Sequence, residues 1–315
     1  MFLAAPGLSA EAGFEYYLSG SPDDVKPKTA GGLVLLGGGG SVEEATKWLV
    51  DRSGGGNFVI IRASGGNDFH ASVERAGQVQ SIETLVFRDR RASSDPKVQA
   101  VLGRADALYI AGGDQWNYVR FWKDSPVSDA IHELARRGVP VAGTSAGLAI
   151  LGQYYFAAQH GTIRSEAALK NPFDRGVTVG RDFLSFPILK GVITDSHFSA
   201  RDRMGRLIVF LARIIRDGWE KEAKGIGVDE RTAVLVEPSG RARVAGSGNA
   251  YFVRLREKPE VCEAGQPLSV REVQVERVTP GGVFDLNKWR GSGGQYTIAV
   301  RQGVLQSSQP EGAVY

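Results

Sequence analysis

The stretch Val139-Pro140-Val141-Ala142-Gly143-Thr144-Ser145-Ala146-Gly147-Leu148-Ala149-Ile150 runs from a short apolar segment through Gly-x-Ser-x-Gly into a helix-like segment. The pattern predicts a nucleophile elbow. Small residues at Gly143 and Gly147 let two backbone segments approach closely, so that the Ser145 hydroxyl is lifted out of a sharp strand-to-helix turn. The following helix would aim unpaired N–H groups at the place where an oxyanion forms. Taken alone, the pattern also fits a tight glycine turn with an incidental serine.

Outward from this turn, the upstream chain alternates between two patterns. Gly32-Leu33-Val34-Leu35-Leu36 reads as a buried strand running into Gly37 to Gly40, and Val42, Ala45, Trp48 and Leu49 then repeat with helical period. The glycine turn has neither G-x-G-x-x-G nor a Walker lysine, so close packing at a strand end is its expected use. Phe58–Ile61, Thr84–Phe87 and Ala107–Ala111 are further short β-prone runs, and Ser128 to Gly138 is a well-formed amphipathic helix. Such alternation predicts an α/β protein, a three-layer α/β/α sandwich around a mostly parallel sheet, with functional loops at the carboxyl ends of the strands.

Downstream, Ala146 to Ala158 reads as one buried helix, and Thr162 to Arg181 as an irregular loop. Gly191 to Asp195 is another strand, and Met204, Leu207, Ile208, Leu211 and Ile215 share one face of a long helix closed by Gly218. After Gly225 the chain becomes β-rich, with hairpin signals such as Pro238-Ser239-Gly240. We read residues 1–315 as a single domain, made of a leader (1–30), a catalytic core (31–224) and a β-rich C-terminal extension (225–315).

Composition narrows the function classes. The chain has 315 residues, 42% of them hydrophobic, enough for a large core. Its net charge of +3 is spread without long blocks, which argues against nucleic acid as a partner. One cysteine, Cys262, excludes an internal disulfide and a multi-cysteine metal site, and four histidines argue against a histidine-rich one. No apolar run approaches the ~20 residues needed to span a bilayer, so no membrane is expected. Residues 1–10 lack a basic n-region and a full apolar core. A cytoplasmic location is the default expectation, and export would follow if this segment were the stub of a signal peptide.

A serine hydroxyl needs a base, and histidine is the usual one near neutral pH. His132 falls on the exposed side of a helix, His70 has no recognisable partner, and His160 belongs to the loop after the elbow. His197 lies just past the end of a strand, on the rim expected for Ser145, and is the chosen base. Around it runs Asp195-Ser196-His197-Phe198-Ser199-Ala200-Arg201-Asp202-Arg203-Met204-Gly205-Arg206. Three arginines in the first turns of a helix oppose its dipole, at about 0.3–1 kcal/mol each when exposed. They suit a clamp for a substrate carboxylate, the structural alternative being pairing with Asp202, Asp195 or a distant carboxylate. For the oxyanion hole, Ala146 would supply one N–H and the Gly112-Gly113 strand end the other, with Gln115 next to substrate. Glu166 is taken as the acid that holds His197, in competition with Asp195, Asp174 and Glu230.

Together, Gly112-Gly113-Asp114-Gln115, Gly143-Thr144-Ser145-Ala146-Gly147, and Asp195-Ser196-His197-Phe198 with Arg201, Arg203 and Arg206 resemble the cyanophycinase branch of the dipeptidase E (S51) serine peptidase family. The resemblance covers about residues 30 to 237, including Gly225-Ile226-Gly227-Val228-Asp229-Glu230. It implies a fold similar to class I glutamine amidotransferases, a homodimer, no metal or organic cofactor, and a mechanism with serine, histidine and an acid. Cyanophycinases release β-aspartyl-arginine dipeptides from a poly-aspartate polymer bearing arginine, and relatives cleave aspartyl or isoaspartyl dipeptides. Carried over, the resemblance makes Ser145 nucleophile and His197 base, with Gln115, Asp195, Arg201, Arg203 and Arg206 in the substrate pocket; Ser196 is counted as a substrate contact beside them, and Gly113 and Ala146 keep the oxyanion places read from the strand ends. Ser196 is a departure, because many cyanophycinases carry glutamine there, and the shorter side chain bears on the polymer substrate. An α/β-hydrolase-type esterase and a non-catalytic binding protein are the rival readings.

Overall fold

Five apolar runs that keep no polar face pair in parallel: Ser81–Phe87, Asn57–Arg62, Ala107–Ile110, Val141–Thr144 and Leu33–Leu36, in that spatial order. Burial on both faces is what such sequences require. The computed structural model describes residues 13–315, so the expectation for residues 1–10 lies outside the described part. Helix Glu43–Arg52 covers one face of these strands, with Ala45, Leu49 and Val50 in a core shared with Val34, Phe58 and Ile60. Helices Pro96–Gly103, Gln115–Trp122 and Pro126–Arg136 cover the other, through Val101, Trp122 and Ile131.

The parallel strands are the centre of a ten-stranded sheet. Thr232–Val236 joins Leu33–Leu36 antiparallel and is followed by Arg241–Gly246, Val283–Asp285 and Arg290–Gly291. At the opposite edge Phe14–Gly20 pairs antiparallel with Ser81–Phe87. The leader expected over residues 1–30 is therefore in part a strand. Phe14, Tyr16 and Leu18 alternate with more polar residues, and one such short edge run carries little signal before its partner is known.

A second sheet of eight strands holds the remainder. Ala223–Val228, Val192–Asp195 and Tyr154–Phe156 are parallel neighbours, flanked by Val179–Arg181 on one side and by Ala250–Leu255, Val270–Val278, Gly294–Arg301 and Val304–Ser307 on the other. Helix Met204–Arg216 packs its Leu207, Val209 and Phe210 against this sheet through Phe156, Ile193 and Val253. The result is an α/β fold whose β-rich C-terminal region extends both sheets. Apolar periodicity shows that a run is a strand but not which sheet it joins.

The helix expected from Ala146 to Ala158 is shorter. Ala146–Ala149 is helical, and Tyr154–Phe156 is a buried strand of the second sheet. A continuous apolar run has no period to separate helix from strand, and Gly152, whose added Cβ would lie 2.6 Å from the Val192 carbonyl oxygen, marks the change. Among the described residues no helix is long and apolar enough to cross a membrane.

Candidate active site

Ser145 follows the Val141–Thr144 strand and precedes the Ala146–Ala149 helix, at φ 53° and ψ −112°. A non-glycine residue held there stores on the order of 1–3 kcal/mol of strain. The turn closes because its two glycines are space-filling gaps: a Cβ on Gly143 would stand 2.5 Å from the Gly147 carbonyl oxygen, and one on Gly147 would collide with that of Ile110. The Ser145 N–H donates to Leu36 O at 3.1 Å, which ties the turn to the neighbouring strand end.

His197 reaches Ser145 from the second sheet. It follows Val192–Asp195, sits at φ 46°, and its N–H donates to Gly37 O at 2.8 Å. Ser145 Oγ and His197 Nε2 are 2.8 Å apart, and His197 Nδ1 is 2.7 Å from Glu230 Oε1. An ionised carboxylate only accepts. Nδ1 therefore carries the proton donated to Glu230, and Nε2 is left to accept the Ser145 hydroxyl. Burial, reinforced by the cations of Arg201 and Arg203, lowers the His197 pKa against the opposing pull of Glu230, and the hydrogen bond to His197 lowers that of Glu230. At neutral pH the chain thus runs from serine hydroxyl to neutral imidazole to carboxylate.

Gly37 to Gly40 form the wall behind this chain. A Cβ on Gly38, at φ 85°, would lie 2.7 Å from the His197 ring, and one on Gly39 2.6 Å from Glu230 Cβ. The glycine run serves close packing, as its sequence suggested. In front lies a cavity of about 370 Å³ that brings together Gly113, Gln115, Ser145, Ala146, Ser196, His197, Arg201 and Arg203. Arg203 Nη1 donates to Ser196 O at 2.8 Å and to Asp195 Oδ1 at 3.2 Å. Burial brings the Arg203 pKa down to about 10, which leaves it cationic at neutral pH.

The profile of Peptidase family S51 matches residues 33–242, a span that contains the whole Ser145, His197 and Glu230 arrangement. The chain belongs to peptidase family S51. A cyanophycinase of Trichormus variabilis (strain ATCC 29413 / PCC 7937) is 30% identical over 212 residues, and the match covers 66% of each chain. One of Synechococcus elongatus is 26% identical over 213 residues, covering 66% of this chain and 61% of that one. The chain thus spans somewhat under two-thirds of the length of these relatives. The fold is shared with a solved peptidase from an acI-B1 Actinobacterium, at TM-score 0.57 and 18% identity, over 82% of this chain and 98% of that chain.

Three expected site residues lie elsewhere in this S51 chain. Glu166 stands on the exposed face of helix Ser165–Lys170, where its carboxylate pairs with Lys170 four residues on at 2.6 Å. Its place beside the histidine is taken by Glu230, one of the competing acids. Asp195 and Arg206 are not in the cavity: each side chain is 2% exposed, and they hold one another through two hydrogen bonds, Nε to Oδ2 at 2.7 Å and Nη2 to Oδ1 at 2.5 Å. Burial opposes ionisation of Asp195, but Arg206 and Arg203 outweigh it and hold its pKa low. The helix begins at Met204, so Arg201 and Arg203 precede it and only Arg206 opposes its dipole, neutralised by Asp195.

A signal for Glu230 was present. It follows the apolar run Gly225-Ile226-Gly227-Val228, and so it stands at a strand end as Ser145 and His197 do. The other histidines are accounted for by protein contacts. His70 is buried between Ser19 Oγ and Thr84 Oγ1, both at 2.9 Å, while His132 Nε2 accepts from the Ser185 N–H at 3.1 Å. His160 is exposed near Arg175.

Proposed function

We propose that the chain is a serine-type hydrolase acting on aspartyl or β-aspartyl peptide bonds, in the manner of a cyanophycinase, with Ser145 as nucleophile, His197 as base and Glu230 as the orienting acid. The observation that carries this reading is the unbroken hydrogen-bond chain from Ser145 Oγ through His197 to Glu230, at 2.8 and 2.7 Å. In the first step Ser145 Oγ bonds to the scissile carbonyl carbon as its proton passes to His197 Nε2. Glu230 stabilises the imidazolium and fixes the ring. Collapse of the tetrahedral intermediate breaks the C–N bond, and His197 returns the proton to the leaving amine. Water, deprotonated by the same imidazole, then bonds to the acyl carbon, and the imidazolium returns that proton to Ser145 Oγ as the ester C–O bond breaks.

The backbone N–H groups of Gly113 and Ala146, which both line the cavity, are assigned to the oxyanion. Arg201 and Arg203 favour a substrate carboxylate, with Gln115 and Ser196 as neutral hydrogen-bonding partners beside it. The names of the relatives support cyanophycin as substrate, with aspartyl or isoaspartyl dipeptides as the alternative that Ser196 favours. Assembly as a homodimer belongs to the same proposal. A panel of cyanophycin, isoaspartyl dipeptides, α-aspartyl dipeptides and simple esters tests it. Release of β-aspartyl-arginine is expected, and turnover of esters alone would overturn it. If a serine-directed phosphonylating reagent left the folded protein unlabelled, the chain would be a binding protein instead.

A further inference from the structure

A second cavity, walled by Phe252, Phe284 and Trp289, contains none of the residues around Ser145. About 510 Å³ in volume, it lies entirely among residues 252–308, beyond the span matched by the S51 profile. That volume is within the ~300–1,000 Å³ typical of ligand pockets. Its floor is one face of the second sheet, on which cross-strand register sets Arg254 opposite Gln274, Gln274 opposite Thr297, and Glu276 opposite Gln295. Its roof comes from the first sheet: Phe284 stacks on Phe252 at 3.6 Å between ring centroids, and Trp289 stands edge-on to Phe284 at 5.3 Å.

Positive charge dominates the lining. Arg254, Arg256, Lys288 and Arg290 line the cavity beside one lining acid, Glu276; Lys288 is paired with Asp285 at 3.6 Å and Arg254 with Glu222, which leaves Arg256 and Arg290 as the cations without an acidic partner among the described residues. The Glu276 carboxylate is itself occupied, accepting from the Gly293 N–H at 2.9 Å and from the Gln295 amide at 3.2 Å. Arg254 gives a terminal nitrogen to Glu222 at 2.6 Å while its Nε has no partner among the described residues, and Arg256 and Arg290 make no ion pair among them. An aromatic wall, amide and hydroxyl groups on adjacent strands and the two solvent-facing guanidinium groups of Arg256 and Arg290 without acidic partners match a peptide that carries carboxylates: the arginines suit the carboxylates, and the floor suits the amides.

We propose that this cavity is a second, non-catalytic binding site for carboxylate-bearing peptide, which holds a polymeric substrate away from Ser145. The proposal rests on the reading of the substrate as an aspartyl or β-aspartyl peptide that carries free carboxylates. A fluorescein-labelled oligo-aspartate is titrated into the Ser145→Ala protein at fixed salt, followed by anisotropy. Binding is expected to weaken at least about tenfold in Ser145→Ala carrying Arg256→Glu and Arg290→Glu, two exposed positions whose reversal leaves the core intact. With Ser145 present, the same two reversals are expected to leave hydrolysis of a β-aspartyl dipeptide at the parent rate. An unchanged titration would overturn the proposal. So would displacement of the probe by equimolar inorganic phosphate, which would show a site for a lone oxyanion, or tighter binding of a labelled single-stranded oligonucleotide. If the parent protein cleaved no aspartyl peptide, the function proposed above would fail while the effect of the two reversals on oligo-aspartate binding still stood.

Discussion

Glu230 accepts the Nδ1–H of His197 at 2.7 Å, although the two residues are 33 positions apart and meet at the junction of two sheets. The junction explains the contact. Ala223–Val228 belongs to the second sheet beside the strand that ends before His197, and Thr232–Val236 to the first sheet beside Leu33–Leu36. The turn that crosses between them, pinned by the Arg231 N–H donating to Gly38 O at 2.7 Å, delivers Glu230 to the imidazole.

Glu230→Gln is expected to lower kcat by about 10³–10⁴-fold, because an amide in that place no longer holds the Nδ1–H tautomer. Glu166→Gln is expected to leave kcat unchanged. Steady-state kinetics of the two variants on a β-aspartyl dipeptide decide between the acids, and equal losses would overturn the assignment of Glu230.

Ser145→Ala is expected to reduce turnover by about 10⁴-fold or more and to abolish covalent labelling by a phosphonylating reagent. Intact-protein mass spectrometry reads the label directly. A label that persisted in the variant would place the nucleophile elsewhere.

The His197 pKa lies below the ordinary histidine value, first through burial, and Arg201 pushes it in the same direction. Catalysis needs the neutral ring. kcat/KM is therefore expected to be full at neutral pH and to fall as pH drops through a value below about 6.5. Removing a nearby cation makes the imidazolium easier to form, so Arg201→Gln should move this acidic limb to higher pH. A pH–rate profile in which the limb stayed fixed or moved down would contradict the electrostatic account.

Gly38→Ala places a Cβ 2.7 Å from the His197 ring at a backbone φ of 85°. Overpacking of this kind costs about 1–3 kcal/mol, and here the group displaced is the imidazole proposed as the base. The expected outcome is a folded protein with a lower Tm and little activity, measured by calorimetry alongside turnover. Parent-like activity would show that the glycine wall is not needed.

Asp195→Asn leaves Arg206 buried beside a neutral amide. Breaking a buried pair by removing one charge costs about 3–5 kcal/mol. Chemical denaturation should show that loss, where a residue serving only substrate would change KM alone.

Much of this protein is written in its local sequence. The apolar strand runs, the period of helices Pro126–Arg136 and Met204–Arg216, and the Gly-x-Ser-x-Gly turn each follow from short-range constraints. A residue's own neighbours decide whether it can be a strand, a cap or a strained turn. His197 was legible for the same reason, since a strand end that carries a histidine and arginines is a local pattern.

What only the tertiary structure decided is which distant groups meet. The carboxylates at 166, 195 and 230 look alike along the chain, and their roles separate only through their surroundings. Glu166 is satisfied within its own helix by Lys170, Asp195 is sealed in with Arg206, and Glu230 is carried to His197 by a turn between sheets. Charge pairing acts through space, and the distances between these groups are set by how two sheets pack, a property of the whole core rather than of any segment.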